Sequence, residues 1–148
     1  VIAAGGVADG RGMAAAFMLG AQGVQIGTRF VSSVEAQVHE NYKNYIVKAK
    51  DIDSRVTGRS TGHPVRALRN QMTKLYLEKE QEGVPFEELE LLTLGSLRKA
   101  VVDGDVVNGS VMAGQSAAMI HDILPCKEII EKLLAQAEEV MKGMGNHE

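Results

Sequence analysis

Short apolar runs closed by glycine occupy the first thirty positions. Residues 1–4 are continuously apolar and end at Gly5-Gly6, as in a strand buried on both faces. Asp9 is a candidate N-cap for a helix carrying Ala14, Ala15, Ala16, Phe17, Met18 and Leu19, and Gly20 stops it. Residues 23–26 predict a second short strand, closed by Gly27. Strand, helix, strand in this order is a βαβ unit with two parallel strands.

Beyond that unit the helical period dominates. Val38, Tyr42, Tyr45, Ile46 and Ala49 share one face of an amphipathic helix predicted over 34–50. Residues 51–59 predict a strand. Pro64 suits the first turn of a helix running from 65 to 80, with Val65, Leu68, Met72, Leu75 and Tyr76 on its apolar face. Acidic residues crowd positions 78–90, a solvated hinge or surface helix whose second part starts at Pro85. Residues 96–102 predict a short helix stopped by Asp103-Gly104, and 105–114 a glycine-rich loop. A last helix over 123–142 carries Ile129, Ile130, Leu133, Leu134 and Ala137 in one stripe, before a frayed tail over 143–148.

Two parallel strands leave both outer edges unpaired and do not make a self-sufficient sheet. The pattern therefore predicts an α/β chain that is the C-terminal piece of a larger barrel enzyme, lacking about six of the eight strands of such a barrel. The 148 residues are 45% hydrophobic and 24% charged, ordinary for a globular protein. A net charge of −3 with scattered basic residues does not suggest a nucleic-acid surface, and 4% aromatic residues without Trp offer no base-stacking platform. Cys126 is the only cysteine, which excludes an internal disulfide or a cysteine metal cluster and fits a reducing, cytoplasmic setting. The start of the chain lacks a signal-peptide pattern, and the apolar run over 14–19 is too short to span a bilayer.

The two glycine turns carry the candidate chemistry. Gly5 and Gly6 lack Cβ atoms, so their backbone can approach an anion closely. The helix behind them is expected to aim free N–H groups and its positive dipole end the same way. Gly27 and Thr28 repeat the device from the neighbouring strand, where the Thr28 hydroxyl adds a donor and Arg29 could add charge. Loops after the last two strands of a (β/α)8 barrel often hold a phosphate in this way.

Residues 3–30, AAGGVADGRGMAAAFMLGAQGVQIGTRF, resemble the end of the FMN-binding barrel of the nitronate monooxygenase/2-nitropropane dioxygenase superfamily. HENYKNYIVKAKDIDS (39–54), GHPVRALRNQMT (62–73) and KAVVDGDVVNGSVMAGQSA (99–117) are similar to later segments of its FMN-dependent enoyl-acyl carrier protein reductase II branch. The inosine-monophosphate dehydrogenase group also has a glycine pair after a barrel strand, but usually lacks the GTRF and these later segments.

The resemblance implies the last two strands of a (β/α)8 TIM barrel over 1–50, a cap or substrate-side region over 51–95, and helices returning to the barrel over 96–148. It implies FMN held by Ala4, Gly5, Gly6, Gly27 and Thr28, with Gln25 and Ile26 beside the isoalloxazine or ribityl side. It implies NAD(P)H as hydride donor and an enoyl-acyl carrier protein or enoyl thioester as substrate, reduced at its trans-2 double bond in fatty-acid elongation. The family's catalytic histidine falls outside these residues, so no catalytic residue is assigned here. The missing N-terminal barrel half is then a required partner, and a homodimer stays open. Nitronate monooxygenase is the alternative activity. A truncated, non-catalytic phosphate- or flavin-binding piece is the alternative of another class.

Other residues read less specifically. His63, between Gly62 and Pro64, suits a turn or a substrate-facing position. Arg66 and Arg69 would share a face of the predicted helix, solvated or set against phosphates. Asn70 and Gln71 carry no reading without contacts. The loop with Gly109, Ser110, Ala113, Gly114 and Gln115 closes over the flavin or packs beneath the barrel. Met112 is expected to be buried and Cys126 partly buried, with His39 and His121 at the surface. No His, Asp or Glu set has metal-ligand spacing.

Overall fold

The computed structural model describes residues 1–144. Strand β1 (Ile2–Ala4) pairs in parallel with β2 (Gly23–Gln25), Ile2 opposite Gly23 and Ala4 opposite Gln25. Helix α1 (Gly10–Met18) makes the crossover, capped by the Asp9 carboxylate, which accepts from the Gly12 N–H at 3.1 Å. The expected βαβ unit is therefore present. The one-turn helix α2 (Thr28–Val31) follows Gly27 directly, an element the sequence reading passed over.

Helix α3 covers only Glu40–Val47, not 34–50. Its start is set by local competition for backbone donors: the Ser33 hydroxyl accepts the Ala36 N–H at 3.2 Å, and His39 Nδ1 accepts the Asn41 N–H at 3.1 Å. Val34 meanwhile donates its N–H to the Leu124 carbonyl at 3.0 Å, next to a parallel bridge between Ser33 and Leu124.

The larger correction concerns 51–80. One 3-10 turn (Asp51–Asp53) leads into β3 (Ser54–Thr57), which pairs antiparallel with β4 (Val65–Leu68). The predicted helix from 65 to 80 is thus a strand followed by a shorter helix, α4 (Gln71–Gln81), with Asn70 as its N-cap. The strand wins because β4 finds partners on both sides. Besides β3, Leu68 donates to the Val111 carbonyl at 2.9 Å, and Ala67 bridges Met112. Arg66 and Arg69 accordingly share no helix face. Arg66 donates to the Ser54 hydroxyl at 2.8 Å, and Arg69 lies 4.0 Å from Asp53.

Helices α5 (Phe86–Thr93), after Pro85, and α6 (Ser96–Val101) follow as expected, with a 3-10 turn over Gln115–Met119. The last helix, α7 (Cys126–Met144), starts three residues later than predicted. Its first N–H, on Cys126, donates to both Glu35 carboxylate oxygens at 2.9 and 3.1 Å, and these bonds hold the Glu35 carboxyl below its ordinary range. The frayed tail predicted over 143–148 lies mostly outside the described residues.

Helix α7 lies against α1 so closely that a Cβ on Gly10 would sit 2.5 Å from the Leu133 carbonyl oxygen. A separate core gathers Ala8, Tyr42, Ile46, Leu68, Ala100, Val111 and Ile120, tying the βαβ unit to the hairpin and the later loop. Among the described residues no helix is long and apolar enough to cross a membrane.

Candidate functional site

The strand register sets the geometry. With Ala4 opposite Gln25, the next residues, Gly5-Gly6 and Ile26-Gly27, emerge side by side at one end of the pair. Gly5 and Gly6 have φ of +94° and +75°, a region that L side chains avoid. A Cβ added to Gly5, Gly6 or Gly27 would meet no atom within 4 Å, so the space in front of both turns is open. This open space, the cradle, lies where the sequence reading expects an anion.

Thr28 begins α2 beside it. Its hydroxyl oxygen accepts the Gly114 N–H at 2.9 Å, which leaves the hydroxyl proton free to be donated. Neither Gly6 nor Thr28 spends its N–H in any loop or cap bond among the described residues. The glycine-rich loop over 105–114 therefore reaches the cradle through Gly114.

Two expected contributors are engaged elsewhere. The N–H groups at the start of α1 are not free: Gly10 donates to Gln136 Oε1 at 2.7 Å, Gly12 to the Asp9 carboxylate, and Met13 to the Asp9 carbonyl at 3.2 Å. Burial pushes the Asp9 carboxyl up, but its bonds from Arg11 and Gly12 outweigh this and hold it below its usual value. A charged carboxylate thus already sits at that helix end. Arg29 is buried and turned away, donating to the Asp122 carbonyl at 2.9 Å and pairing with the Asp122 carboxylate. It supplies no charge to the cradle.

Gln25 and Ile26 diverge. Ile26 and Val24 line a small apolar groove against Ile130, Leu133 and Leu134 of α7. By strand alternation the Gln25 side chain projects from the opposite face, where it is exposed.

His63 lies exposed in the β3–β4 turn, its ring 5.8 Å from that of Phe86. Met112 is 39% exposed, not buried: it shares with its bridge partner Ala67 the side that lines a cavity, while Val111 and Ala113 on the other side enter the core. Cys126 is half-buried, and His39 and His121 are exposed. Sequence reasoning missed Asn70. Its side-chain amide donates to the carbonyls of Val106 and Gly109 at 2.7 Å each, while its oxygen caps α4 by accepting from Thr73 at 2.9 Å. Its signal was the Asn-x-x-Thr spacing of a helix N-cap. Among the described residues no group of three His, Cys, Asp or Glu side chains could hold a metal.

The sequence profile of the nitronate monooxygenase family matches residues 1–136. A probable nitronate monooxygenase of Staphylococcus saprophyticus is 34% identical over 141 residues, covering 95% of this chain and 39% of that protein. One from Bacillus subtilis is 32% identical over 133 residues, covering 90% of this chain and 38% of that protein. The solved structure of FabK from Thermotoga maritima superposes with a TM-score of 0.94 at 51% identity, covering all of this chain and 47% of that one. The nitroalkane oxidase of Streptomyces ansochromogenes superposes at 0.77 with 28% identity, covering 97% of this chain and 41% of that one. The chain thus spans less than half the length of each of these proteins.

Proposed function

We propose a function from one premise: the chain belongs to the nitronate monooxygenase family. It is the C-terminal, FMN-binding part of an oxidoreductase that reduces the trans-2 double bond of an enoyl-acyl carrier protein with NAD(P)H. The observation that carries this reading is the open pair of glycine turns at one end of a parallel strand pair. The residues fit the group. The backbone of Ala4, Gly5, Gly6, Gly27 and the Thr28 N–H and hydroxyl hold the phosphate, without a cationic side chain. Gln25, on the face away from α7, is the side chain of this set available to the flavin, while Ile26 contributes backbone only.

Bound FMN supplies hydride transfer between the nicotinamide and the enoyl carbon. The chain's own part is to grip and orient, because the catalytic acid lies in the region the relatives carry before it. On this reading 1–50 end a TIM barrel, 51–95 face the substrate, and 96–148 return to the barrel. The 51% identity with Thermotoga FabK, against 34% and 32% with the two probable nitronate monooxygenases, favours the reductase branch. The names of those two proteins favour the second reading, oxidation of an alkyl nitronate. Coverage of 47% of the FabK chain supports the third, a piece that binds FMN and is inactive alone.

The test is spectroscopic and then kinetic. The chain mixed with FMN is expected to retain the yellow chromophore through gel filtration, and a colourless protein sinks the flavin reading. Joined to the preceding barrel half, crotonyl-thioester-dependent NAD(P)H oxidation supports the reductase. Oxygen uptake with an alkyl nitronate and no thioester-dependent oxidation supports the monooxygenase.

A further inference from the structure

Helix α2 is a single turn, closed by the Phe30 and Val31 N–H groups on the Gly27 carbonyl at 2.9 and 3.2 Å. One turn does not hold itself in water, because it orders several residues for very few hydrogen bonds. No side chain caps its start. Its place is set instead by the stretch over 114–124, which runs back alongside it. Gly114 donates to the Thr28 hydroxyl, Asp122 takes the Arg29 guanidinium, and Leu124 bridges Ser33 and accepts from Val34.

The Arg29 attachment differs from the other two. Arg29 is 7% exposed, and its guanidinium grips one residue at two points: Nη1 donates to the Asp122 carbonyl at 2.9 Å, and Nη2 donates to the Asp122 carboxylate. A planar guanidinium held at two nitrogens has a fixed orientation, which a single bond does not give. Among the described residues no other carboxylate pairs with Arg29. Without the Asp122 carboxylate a buried cation would lose its counter-charge, and Arg29 would have to turn out to water.

Adjacent residues of a helix point about 100° apart. Thr28 and Arg29 are therefore held in two directions around one short axis, at Gly114 and at Asp122. One anchor leaves the turn free to swivel about it, whereas two fix its rotation. That rotation matters because the Thr28 N–H and hydroxyl proton are what α2 offers to the cradle.

We propose that Arg29 is a positioning residue for the anion grip: by holding Asp122 behind α2 it fixes the rotation of that turn and so aims the Thr28 donors, although it never touches the anion. The identity of that anion, the FMN phosphate, rests on the function proposed above. The anchor goes beyond it by giving a role in binding to a cation that faces away from the ligand.

FMN and riboflavin differ by the phosphate alone, so the ratio of their affinities reads the grip apart from flavin-ring contacts and overall stability. Fluorescence titration of the chain should give FMN at least about tenfold tighter than riboflavin. Arg29→Met, and Asp122→Ala at a side chain 48% exposed, should each bring the ratio below about threefold. Asp122→Asn keeps an acceptor oxygen and should retain most of the ratio. Lys132→Ala removes only an exposed partner 3.8 Å from Asp122 and should leave the ratio unchanged. A ratio undiminished in Arg29→Met and Asp122→Ala, with both flavins unchanged or weakened alike, overturns the proposal. Inorganic phosphate, followed at the Gly6 and Thr28 amide resonances, separates this outcome from failure of the flavin reading. Wild-type chain that takes up phosphate but no flavin, with the phosphate response lost in Asp122→Ala, keeps the anchor and ends the flavin reading. FMN retained with the same preference over riboflavin in both variants does the reverse, and wild-type chain that responds to neither phosphate nor flavin overturns both.

Discussion

The Thr28 hydroxyl accepts the backbone N–H of Gly114 at 2.9 Å, joining two positions 86 residues apart. One oxygen thereby fixes the loop over 105–114 to the turn after β2. Thr28→Val leaves the Gly114 N–H without its partner and should cost about 1–3 kcal/mol, whereas Thr28→Ser retains the bond and should cost little. Thermal melts compare the three proteins. On the proposed function, FMN affinity should fall in the Val variant and persist in the Ser variant, because the hydroxyl is also the donor to the phosphate.

Gly10 and Gly12 predict opposite outcomes for the same substitution. A Cβ on Gly10 would sit 2.5 Å from both the Leu133 carbonyl oxygen and the Ala137 nitrogen, backbone atoms that cannot swing aside. Gly10→Ala should force α1 off α7 and lower stability by about 1–3 kcal/mol. A Cβ on Gly12 meets its nearest atom, of Val7, at 3.6 Å, an ordinary contact. Gly12→Ala should stabilise α1 by about 0.5–1 kcal/mol. Denaturant midpoints moving the same way in both variants would contradict this account of the α1–α7 interface.

Asn70→Asp keeps an oxygen for the Thr73 N–H but removes both amide donors to Val106 and Gly109. The new carboxylate then faces two carbonyl oxygens. Helix α4 should stay capped while the 105–109 loop loosens. Amide exchange should therefore stay slow at Thr73 and speed up around Val106–Gly109, with a total cost of about 1–3 kcal/mol per lost bond. Acceleration at both places, or at neither, would show that Asn70 does not link the two.

Burial pushes the Tyr42 phenol up to about 12, against a smaller opposing effect of its bond to the Met112 carbonyl at 2.7 Å. Burial raises Tyr45 and Tyr76 as well. A phenol whose folded value lies above its unfolded value of 10.0 contributes stability that is complete below pH 10 and is lost as pH rises toward 12. Tyrosinate absorbance should therefore appear later in the folded chain than in the chain in denaturant, and Tyr42→Phe should remove the latest step. A titration of folded protein overlaying that of unfolded protein would refute the buried placement.

How much was readable in advance differs from segment to segment. Strands β1 and β2, the Asp9 cap and the break at Pro85 follow from signals within a few residues, and the structure contains each of them. The segment from Val65 to Tyr76 shows where such signals fail. Its apolar spacing fits a helix, yet β4 forms because Ser54–Thr57 and Val111–Ala113 offer it hydrogen bonds on both edges. Met112 likewise falls on the cavity side of its segment beside Ala67, opposite Val111 and Ala113, and no property of Met foretells that.

The cradle divides along the same line. The amino-acid order dictated where small residues interrupt the apolar runs, and hence where backbone could be laid bare to an anion. Which donors remained for that anion was settled by distant partners. Gln136, 126 positions from Gly10, took an amide of α1, and Asp122, 93 positions from Arg29, took the guanidinium. Chain conformation answers to neighbours along the sequence, whereas a hydrogen-bonding group goes to whichever partner folding brings within about 3 Å of it.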